Sequence, residues 1–284
     1  MAHVFDNPGY RSVLTRQEYQ AHFETVDRAN RNIFRSFRGD QQGKVPHDIF
    51  KLRYDVYCIE CAFLPPTEQA GGMEVDEYET NAVHIAAYSM DETLIGTVRL
   101  VQPLAEQPYP FERHCAVFDH VELPPRALSC EISRLVVRKD HRRRRADSLA
   151  GVPGLPAQVP EVERRHGERR RESPMLLFGM YREMYRHSRQ AGIRYWFAAM
   201  ERALAQSLAR MGFGFKAIGP QADYYGAVVP YVLDLHAMEA KLAAENPALS
   251  AWMQERPHAL LPRLSWQQNP ARGLTRALSR ARAD

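Results

Sequence analysis

Two runs of sequence decide the fold class, and the first covers residues 82–101, AVHIAAYSMDETLIGTVRLV. Apolar and β-branched residues fill both ends of this run, and the polar residues 90–93 separate them, so the run predicts a β-hairpin. The second run covers residues 130–137, CEISRLVV, where polar and apolar residues alternate as in a half-buried strand. Together they predict at least three strands in the middle of the chain.

Helices and further strands are predicted on both sides of these runs. The spacing of apolar residues predicts helices at 17–37, from Pro46 to about Cys61, after Ser173 and at 201–211. Strands are predicted at 193–199, 213–218 and 227–235, and the chain after them is predicted to be helical and peripheral. This order is typical of an α/β protein with a mixed sheet and helices on its faces.

The chain of 284 residues predicts one main domain with two extensions. We expect an N-terminal helical extension at 1–45, the main domain at 46–235 and a C-terminal helical extension at 236–284. Residues 146–172 are rich in proline, glycine and charge and have few apolar residues to bury, so they predict a mobile insert in the main domain.

Composition indicates the compartment and argues against a metal site. No apolar run approaches the roughly 20 residues of a membrane span, and the N-terminus shows no signal-peptide pattern, so a cytoplasmic protein is expected. Cys58 and Cys61 form a single C-x-x-C motif, and no second motif completes a zinc site. We expect them, with Cys115 and Cys130, to be buried, reduced thiols.

The basic excess of the chain is confined to one segment. Residues 138–172 contain eleven Lys/Arg and six Asp/Glu, which gives +5, whereas the chain as a whole is +4. Nucleic-acid binding by this segment is an alternative function, but the segment lacks the interleaved aromatic residues that stack on bases. A catalytically inactive regulatory module is a further alternative.

Four short patterns, and a fifth that supports the fold, resemble a known group of enzymes. The four are Leu52–Tyr57 (LRYDVY), Glu74–Glu79 (EVDEYE), Gly96–Leu100 (GTVRL) and Glu131–Arg134 (EISR); the fifth is Arg210–Phe213 (RMGF). They resemble the GNAT acyltransferases, and within them the acyl-homoserine-lactone synthases and N-acyl amino acid synthases. The combination also resembles the acyltransferase family associated with PEP-CTERM/exosortase systems. The resemblance implies a mostly antiparallel central sheet with helices on both faces. It also implies transfer of a fatty acyl group from a carrier thioester to the amine of a small molecule such as an amino acid.

One departure separates the chain from the lactone synthases. Those enzymes keep an aromatic pair that includes a Trp before the acidic run, whereas this chain has Phe-Leu-Pro-Pro-Thr at 63–67. Lactone formation from S-adenosylmethionine is therefore an alternative function, and acyl transfer to the amine of a small molecule is the predicted one.

The resemblance implies roles for eight residues. Glu131 is the candidate general base, because a partly desolvated carboxylate can accept the proton of an amine; the alternative is a structural ion pair with Arg134 or Arg99. Strand alternation places Ser133 on the face of Glu131 and Arg134 on the opposite face. The substrate-binding and supporting residues are Arg53, Glu74, Asp76, Glu79, Arg99, Ser133 and Arg134. We expect ion pairs between these arginines and carboxylates, against the alternative of a solvated acidic loop, and we expect Glu77 and Tyr78 at the surface.

The donor is predicted from what precedes the helix at Ser173. A coenzyme A site of the usual GNAT kind has a glycine-bearing turn there, where backbone N–H groups bind the pyrophosphate. This chain has Arg-Arg-Arg-Glu at 169–172 instead. We therefore expect acyl carrier protein as the donor in preference to acyl-coenzyme A, and no tightly bound cofactor. The residues expected to dock the acidic carrier are Arg142, Arg143, Arg144, Arg145, Arg169, Arg170 and Arg171.

Overall fold

The computed structural model describes residues 24–27, 32–40, 45–66, 70–141 and 172–254. The strands are β1 (Glu24–Asp27), β2 (Asn32–Arg38), β3 (Ala82–Ser89), β4 (Leu94–Val101), β5 (Ser129–Val137), β6 (Tyr195–Met200), β7 (Lys216–Ala217), β8 (Ala222–Asp223) and β9 (Ala227–Asp234). The α-helices are α1 (His47–Tyr54), α2 (Glu172–Gln190), α3 (Arg202–Arg210), α4 (Leu235–Glu245) and α5 (Pro247–Gln254). A π-helix, Asp55–Glu60, continues α1.

The strands form a single mixed sheet in the order β1-β2-β3-β4-β5-β6-β9-β7, with β8 paired to β9. Among the described strands only β5 and β6 run parallel, and every other pair is antiparallel. The predicted hairpin is the β3–β4 pair, in which Ala82 lies opposite Val101. The predicted mixed, mostly antiparallel sheet is confirmed.

Helices cover both faces of the sheet, as predicted. Two consecutive residues of β3 show this directly. Ile85 packs in a cluster of buried side chains that includes residues of α2, whereas Ala86 packs in a second cluster that includes residues of α1. We call these the α2 face and the α1 face. The central strands are therefore buried on both sides, and a strand in that position loses the simple alternation of apolar and polar residues.

That loss explains a helix that was predicted wrongly. The helix expected at 17–37 is absent from its described part, where β1 and β2 occupy the edge of the sheet. Ile33, Phe34 and Phe37 have helical spacing, but Ile33 and Phe37 pack on the α1 face and Phe34 packs on the α2 face. Because β2 carries apolar residues on both of its faces, their spacing along the sequence resembled that of an amphipathic helix.

Three further predictions have different outcomes. The chain after β9 is helical in α4 and α5, but Leu235 and Leu249 there are fully buried, so these helices belong to the core rather than the periphery. Cys58, Cys115 and Cys130 are buried free thiols, whereas Cys61 is exposed. Of the predicted insert, residues 146–171 lie outside the described residues.

No helix in the described ranges is long and apolar enough to cross a membrane.

Two irregularities of β5 open the sheet. The parallel pairing of β5 with β6 covers only three positions and ends where Glu131 lies opposite Phe197. On its other side, β5 carries one extra residue relative to β4, because the pairing shifts between Thr97 and Arg99. The extra residue is a β-bulge at which Arg134 adopts a left-handed φ of 52°. Beyond the last pair, β5 and β6 diverge and leave a split in the sheet.

Gly179 allows α2 to approach the sheet closely, and this gives a test of the fold. A Cβ added there would lie 2.1 Å from the ring of Phe34, which is buried. We expect Gly179→Ala to lower the free energy of unfolding by about 1–3 kcal/mol, because overpacking outweighs the better helix propensity of alanine. Urea unfolding followed by circular dichroism measures this loss.

The control for that variant is Gly214→Ala, where an added Cβ meets no atom within 4 Å. Its free energy of unfolding should stay within about 0.5 kcal/mol of the wild type. Equal stability of the two variants would contradict the close packing of α2 on β2.

Candidate active site

The split between β5 and β6 contains a cavity of about 420 Å³. Its walls are the two diverging strands, α3, the π-helix, and the turn between β8 and β9. Glu131 and Arg134 line it from β5, Trp196 and Ala198 line it from β6, and Leu204 and Leu208 line it from α3. The cavity therefore lies where the predicted reactive strand leaves its neighbour.

The two sides of this cavity have different chemistry. On the α2 face it is apolar, with Leu135, Tyr181 and Phe213 among its lining residues. On the α1 face it meets Glu131 and Arg134 and the aromatic ring of Tyr57. Because the sheet is split here, the cavity connects an apolar compartment on one face with a polar, aromatic compartment on the other.

Glu131 lies at the point where the strands separate. Its side chain is 1% exposed, and its Oε2 atom accepts a hydrogen bond of 2.9 Å from the backbone N–H of Phe111. Burial raises the pKa of Glu131 to about 8, against smaller opposing effects of that hydrogen bond and of Arg99 and Arg134. A carboxyl group with this pKa is a stronger base than an exposed glutamate and still ionises near neutral pH.

The structural alternative for Glu131 was an ion pair with Arg99 or Arg134. Within the described residues, both arginines form their ion pairs with the acidic run at 74–79 instead. In the part of the chain that the structure describes, the Glu131 carboxyl group accepts a hydrogen bond from one backbone donor, and it lines the cavity.

Six charged side chains form a buried ion-pair network on the α1 face of the sheet. We call it the arginine–carboxylate network, and its members are Arg53, Glu74, Asp76, Glu79, Arg99 and Arg134. Three guanidinium groups meet three carboxylates, so the network has no net charge. The ion pairs expected between the arginines and the acidic run are present.

Arg99 occupies the centre of the network. Its two terminal nitrogens bind Asp76 in a fork, at 2.6 Å to Oδ1 and 2.9 Å to Oδ2. The first of them also donates to Glu79 at 2.7 Å, and Nε donates to the hydroxyl of Ser133 at 3.0 Å. Such two-point contacts fix the orientation of both partners, so Ser133 of β5 is tied to the acidic run through Arg99.

Arg134 and Arg53 complete the network around Glu74. Arg134 donates from Nε and from one terminal nitrogen to Glu74 Oε1, at 3.1 and 3.0 Å, and reaches Asp76 at 3.3 Å. Arg53 pairs with the other oxygen of Glu74 and donates to Glu79 at 2.8 Å. Glu74 is 1% exposed and Arg53 is fully buried. A buried charge is tolerated only when it is paired in this way.

The network favours the ionised forms of Asp76 and Glu79. Burial alone would raise the pKa of Asp76, but Arg99 and Arg134 together hold it below its usual value. Burial would likewise raise the pKa of Glu79, but a hydrogen bond with His84 and the two nearest arginines hold it far below its usual value. Stability from these groups is therefore present above their ordinary pKa range and is lost as the pH falls toward the lowered values.

The position of Arg134 corrects the predicted strand alternation. Regular alternation would place Arg134 and Ser133 on opposite faces, but Arg134 reaches Asp76 on the same face on which Ser133 meets Arg99. The bulge is the reason, because the left-handed φ of Arg134 adds one residue to β5 without advancing its register.

His84 is a member of this site that the sequence reasoning missed. It is fully buried, lies opposite Arg99 in the β3–β4 register, and its Nε2 atom is 3.1 Å from Glu79. Burial is the largest effect on its pKa, which is lowered, so the ring is neutral at pH 7. Its signal in the sequence was a single histidine within the apolar run 82–88.

Tyrosines around the cavity were also missed. Tyr57, Tyr224 and Tyr225 line it, and the guanidinium of Arg134 lies 5.0 Å from the ring of Tyr57 and 5.3 Å from that of Tyr225. The Tyr-Tyr-Gly sequence at 224–226 was the available signal, since it forms the turn between β8 and β9. Tyr78, expected at the surface, is buried, whereas Glu77 is exposed as expected.

The seven arginines expected to dock a carrier, at 142–145 and 169–171, lie outside the described residues. Their role stays a prediction.

Comparisons with known proteins agree with this architecture. Residues 52–151 match the family model described as an acetyltransferase (GNAT) domain. No match is found among curated proteins. The structure of BjaI, a coenzyme A-dependent acyl-homoserine lactone synthase solved with SAM and isopentyl-CoA, is similar with a TM-score of 0.50 and 19% identity, over 74% of this chain and 87% of that chain. The acyl-homoserine lactone synthase LasI is similar with a TM-score of 0.50 and 15% identity, over 77% of this chain and 96% of that chain.

The chain has the GNAT acyltransferase fold. The matched domain includes the end of α1, the acidic run and β3 to β5, which together hold the arginine–carboxylate network and Glu131. The domain match indicates an acyltransferase, and the two structures share its fold. The association with PEP-CTERM/exosortase systems stays a prediction.

The acidic run offers a matched pair of variants that tests the network. Glu74→Gln leaves three buried guanidinium groups with only two carboxylates, so one buried positive charge is uncompensated. We therefore expect a loss of about 3–5 kcal/mol in the free energy of unfolding. Glu77→Gln breaks a surface pair with Arg113, in which both side chains are about half exposed, and should cost less than about 1 kcal/mol. Urea unfolding at pH 7 measures both, and a Glu74 variant as stable as the Glu77 variant would contradict the network.

Proposed function

We propose that this protein transfers a fatty acyl group from a carrier thioester to the amine of a small molecule such as an amino acid. The observation that carries the proposal is the position of Glu131. It is a buried carboxyl group with a raised pKa at the point where the split in the sheet connects an apolar and a polar compartment.

The compartments match the two substrates of such a reaction. A fatty acyl chain requires an apolar wall, which the α2 face supplies through Leu135, Tyr181 and Phe213. A small amine requires polar and aromatic contacts beside a base, which the α1 face supplies. In this arrangement the thioester carbonyl lies in the split, between the two compartments.

The chemistry then follows from the groups at the split. An acceptor present as an ammonium first loses one proton to water; the neutral amine then attacks the thioester carbonyl, and the Glu131 carboxylate accepts a proton from its nitrogen. The tetrahedral intermediate collapses to an amide and releases the carrier thiolate, which takes up the proton held by Glu131. Proton and charge balance without a metal or an oxidant.

Backbone amides near the split support the oxyanion of the intermediate. β5 and β6 pair only as far as Glu131 and Phe197, so the strand edges that diverge beyond these residues no longer pair with each other. An N–H group already held by the sheet needs little reorganisation when charge develops on the carbonyl oxygen. The arginine–carboxylate network supports this geometry by fixing Ser133 and Arg134 on β5.

For the donor, we propose acyl carrier protein in preference to acyl-coenzyme A. The support is in the sequence: no glycine pair directly precedes α2, and seven arginines lie just before the insert or at its C-terminal end. Carrier proteins are acidic, and opposite charge accelerates association. BjaI, by contrast, is described as coenzyme A-dependent.

Lactone-type signal synthesis is a second candidate, favoured by the similarity to BjaI and LasI. It requires S-adenosylmethionine as the acceptor. A lactone product with S-adenosylmethionine would favour this candidate over simple amide formation.

Loss of the base should stop the reaction. We expect Glu131→Gln to lower kcat/KM by about 10²–10⁴-fold, the usual contribution of a general base. In the wild type, kcat/KM should rise with pH and reach half its maximum near pH 8, because only the ionised carboxylate acts and burial raises its pKa to about 8. The kcat/KM of the variant should not show this rise with pH. Mass spectrometry of lipid extracts from cells expressing either protein would identify the acyl-amine product.

Glu122→Gln is the control for this experiment, since Glu122 is exposed and outside the cavity lining. Its product yield and pH profile should match the wild type. The same product at the same yield from the Glu131 variant would remove Glu131 as the base, and the absence of any acyl-amine from the wild type would reject acyl transfer to an amine.

The choice of donor is tested by substitution of the seven arginines at 142–145 and 169–171 with glutamine. We expect the KM for acyl carrier protein to rise about tenfold or more and the KM for the matching acyl-coenzyme A to stay constant, because the charges act on the carrier surface. The wild-type preference for the carrier should also weaken between low and physiological salt. Equal efficiency with both donors at both salt concentrations would reject the carrier preference.

A further inference from the structure

Three aromatic rings meet at the mouth of the cavity on the α1 face. They belong to Tyr57, Phe63 and Tyr225, and we call them the aromatic box. The ring centroids are 5.8 Å apart for Tyr57 and Tyr225, 6.0 Å for Tyr57 and Phe63, and 6.1 Å for Phe63 and Tyr225. All three line the cavity, and Phe63 is 42% exposed. Burial in the core therefore does not explain why Phe63 is held beside the other two rings.

An irregular backbone holds each ring. Tyr57 lies in the π-helix, and its carbonyl accepts the N–H of Phe63 at 2.7 Å. Phe63 follows Ala62, which has a φ of 52°, and Tyr225 has a φ of 56°. Non-glycine residues rarely adopt this left-handed conformation, and π-helices and such strained residues are concentrated at functional sites. The three irregularities converge on one group of rings, which points to a ligand as their purpose.

Arg134 restricts what that ligand can be. Its guanidinium lies 5.0 Å from the ring of Tyr57 and 5.3 Å from that of Tyr225, so the faces of two box rings already interact with a cation. A second cation in the box would lie beside this guanidinium. The carboxylates of Glu74 and Asp76 are already bound to arginines and are not available to balance it. A neutral aromatic or aliphatic group meets no such penalty.

We propose that the aromatic box binds the side chain of the acceptor amine and selects neutral aromatic or aliphatic side chains over cationic ones. The proposal rests on the proposed function, because it takes the small amine of that reaction as the occupant. The box and Glu131 line the same cavity. An acceptor held by its side chain in the box can therefore direct its amino group toward the base.

Kinetics with paired acceptors test the selection. Initial rates are measured at saturating decanoyl thioester with L-phenylalanine, L-leucine, L-lysine or S-adenosylmethionine. We expect kcat/KM to be at least about tenfold higher for the two neutral acceptors than for the two cationic ones. Equal or better use of the cationic acceptors would overturn the proposal.

Variants show whether the box is responsible. Phe63→Ala should raise the KM for L-phenylalanine about tenfold, the upper part of the range for loss of an aromatic contact, and leave the KM for the donor unchanged. Tyr225→Leu removes a second ring and should act in the same direction. Phe118→Ala is the matched control, since Phe118 is 38% exposed and lies outside the cavity lining. An acceptor KM for Phe63→Ala equal to that of the control would overturn the proposal.

Equilibrium dialysis separates this proposal from the proposed function. Labelled L-phenylalanine should bind the wild type more tightly than labelled L-lysine and should bind Phe63→Ala more weakly. Binding of this kind without any acylated product would reject acyl transfer and leave the box established as an amino-acid site. No detectable binding of either amino acid, or equal binding of both, would overturn the box.

Discussion

The buried pairing of three arginines with three carboxylates is the constraint on which the site depends. Every member needs its partners, because a guanidinium or carboxylate removed from water without a counter-charge costs several kcal/mol. The partners come from α1, the acidic run, β4 and β5. The network therefore ties four separate segments to one another. Through Arg99 and Arg134 the network also fixes the position of β5 relative to the acidic run.

The bulge at Arg134 connects this network to the cavity. A regular strand would place Arg134 on the α2 face and bury its charge among apolar residues. The left-handed backbone instead brings Arg134 to Glu74 on the α1 face. The cost of that conformation is of the order of 1–3 kcal/mol, which the ion pairs of a buried guanidinium can offset. Just before the bulge, β5 ends its pairing with β6, so the two irregularities together define where the cavity begins.

Much of the fold and part of the site could be predicted from sequence, for reasons that differ between residues. The β3–β4 hairpin is a local feature, with its turn and both strands within residues 82–101, and it was predicted. Glu131 and the acidic run were found through short patterns within a few residues. The helix predicted at 17–37 failed because burial on two faces is a property of the whole sheet. The bulge depends on the register with another strand, and the box combines residues 57, 63 and 225, so neither has a local signal.

The split in the sheet separates the walls of the two compartments along the chain as well as in space. The apolar wall comes from α2, α3 and β6, whereas the aromatic wall comes from the π-helix and the turn between β8 and β9. Changes in one wall leave the residues of the other untouched, and only β5 is shared. If the two walls bind the acyl group and the amine as proposed, the two specificities can diverge independently in evolution, through separate mutations in each wall.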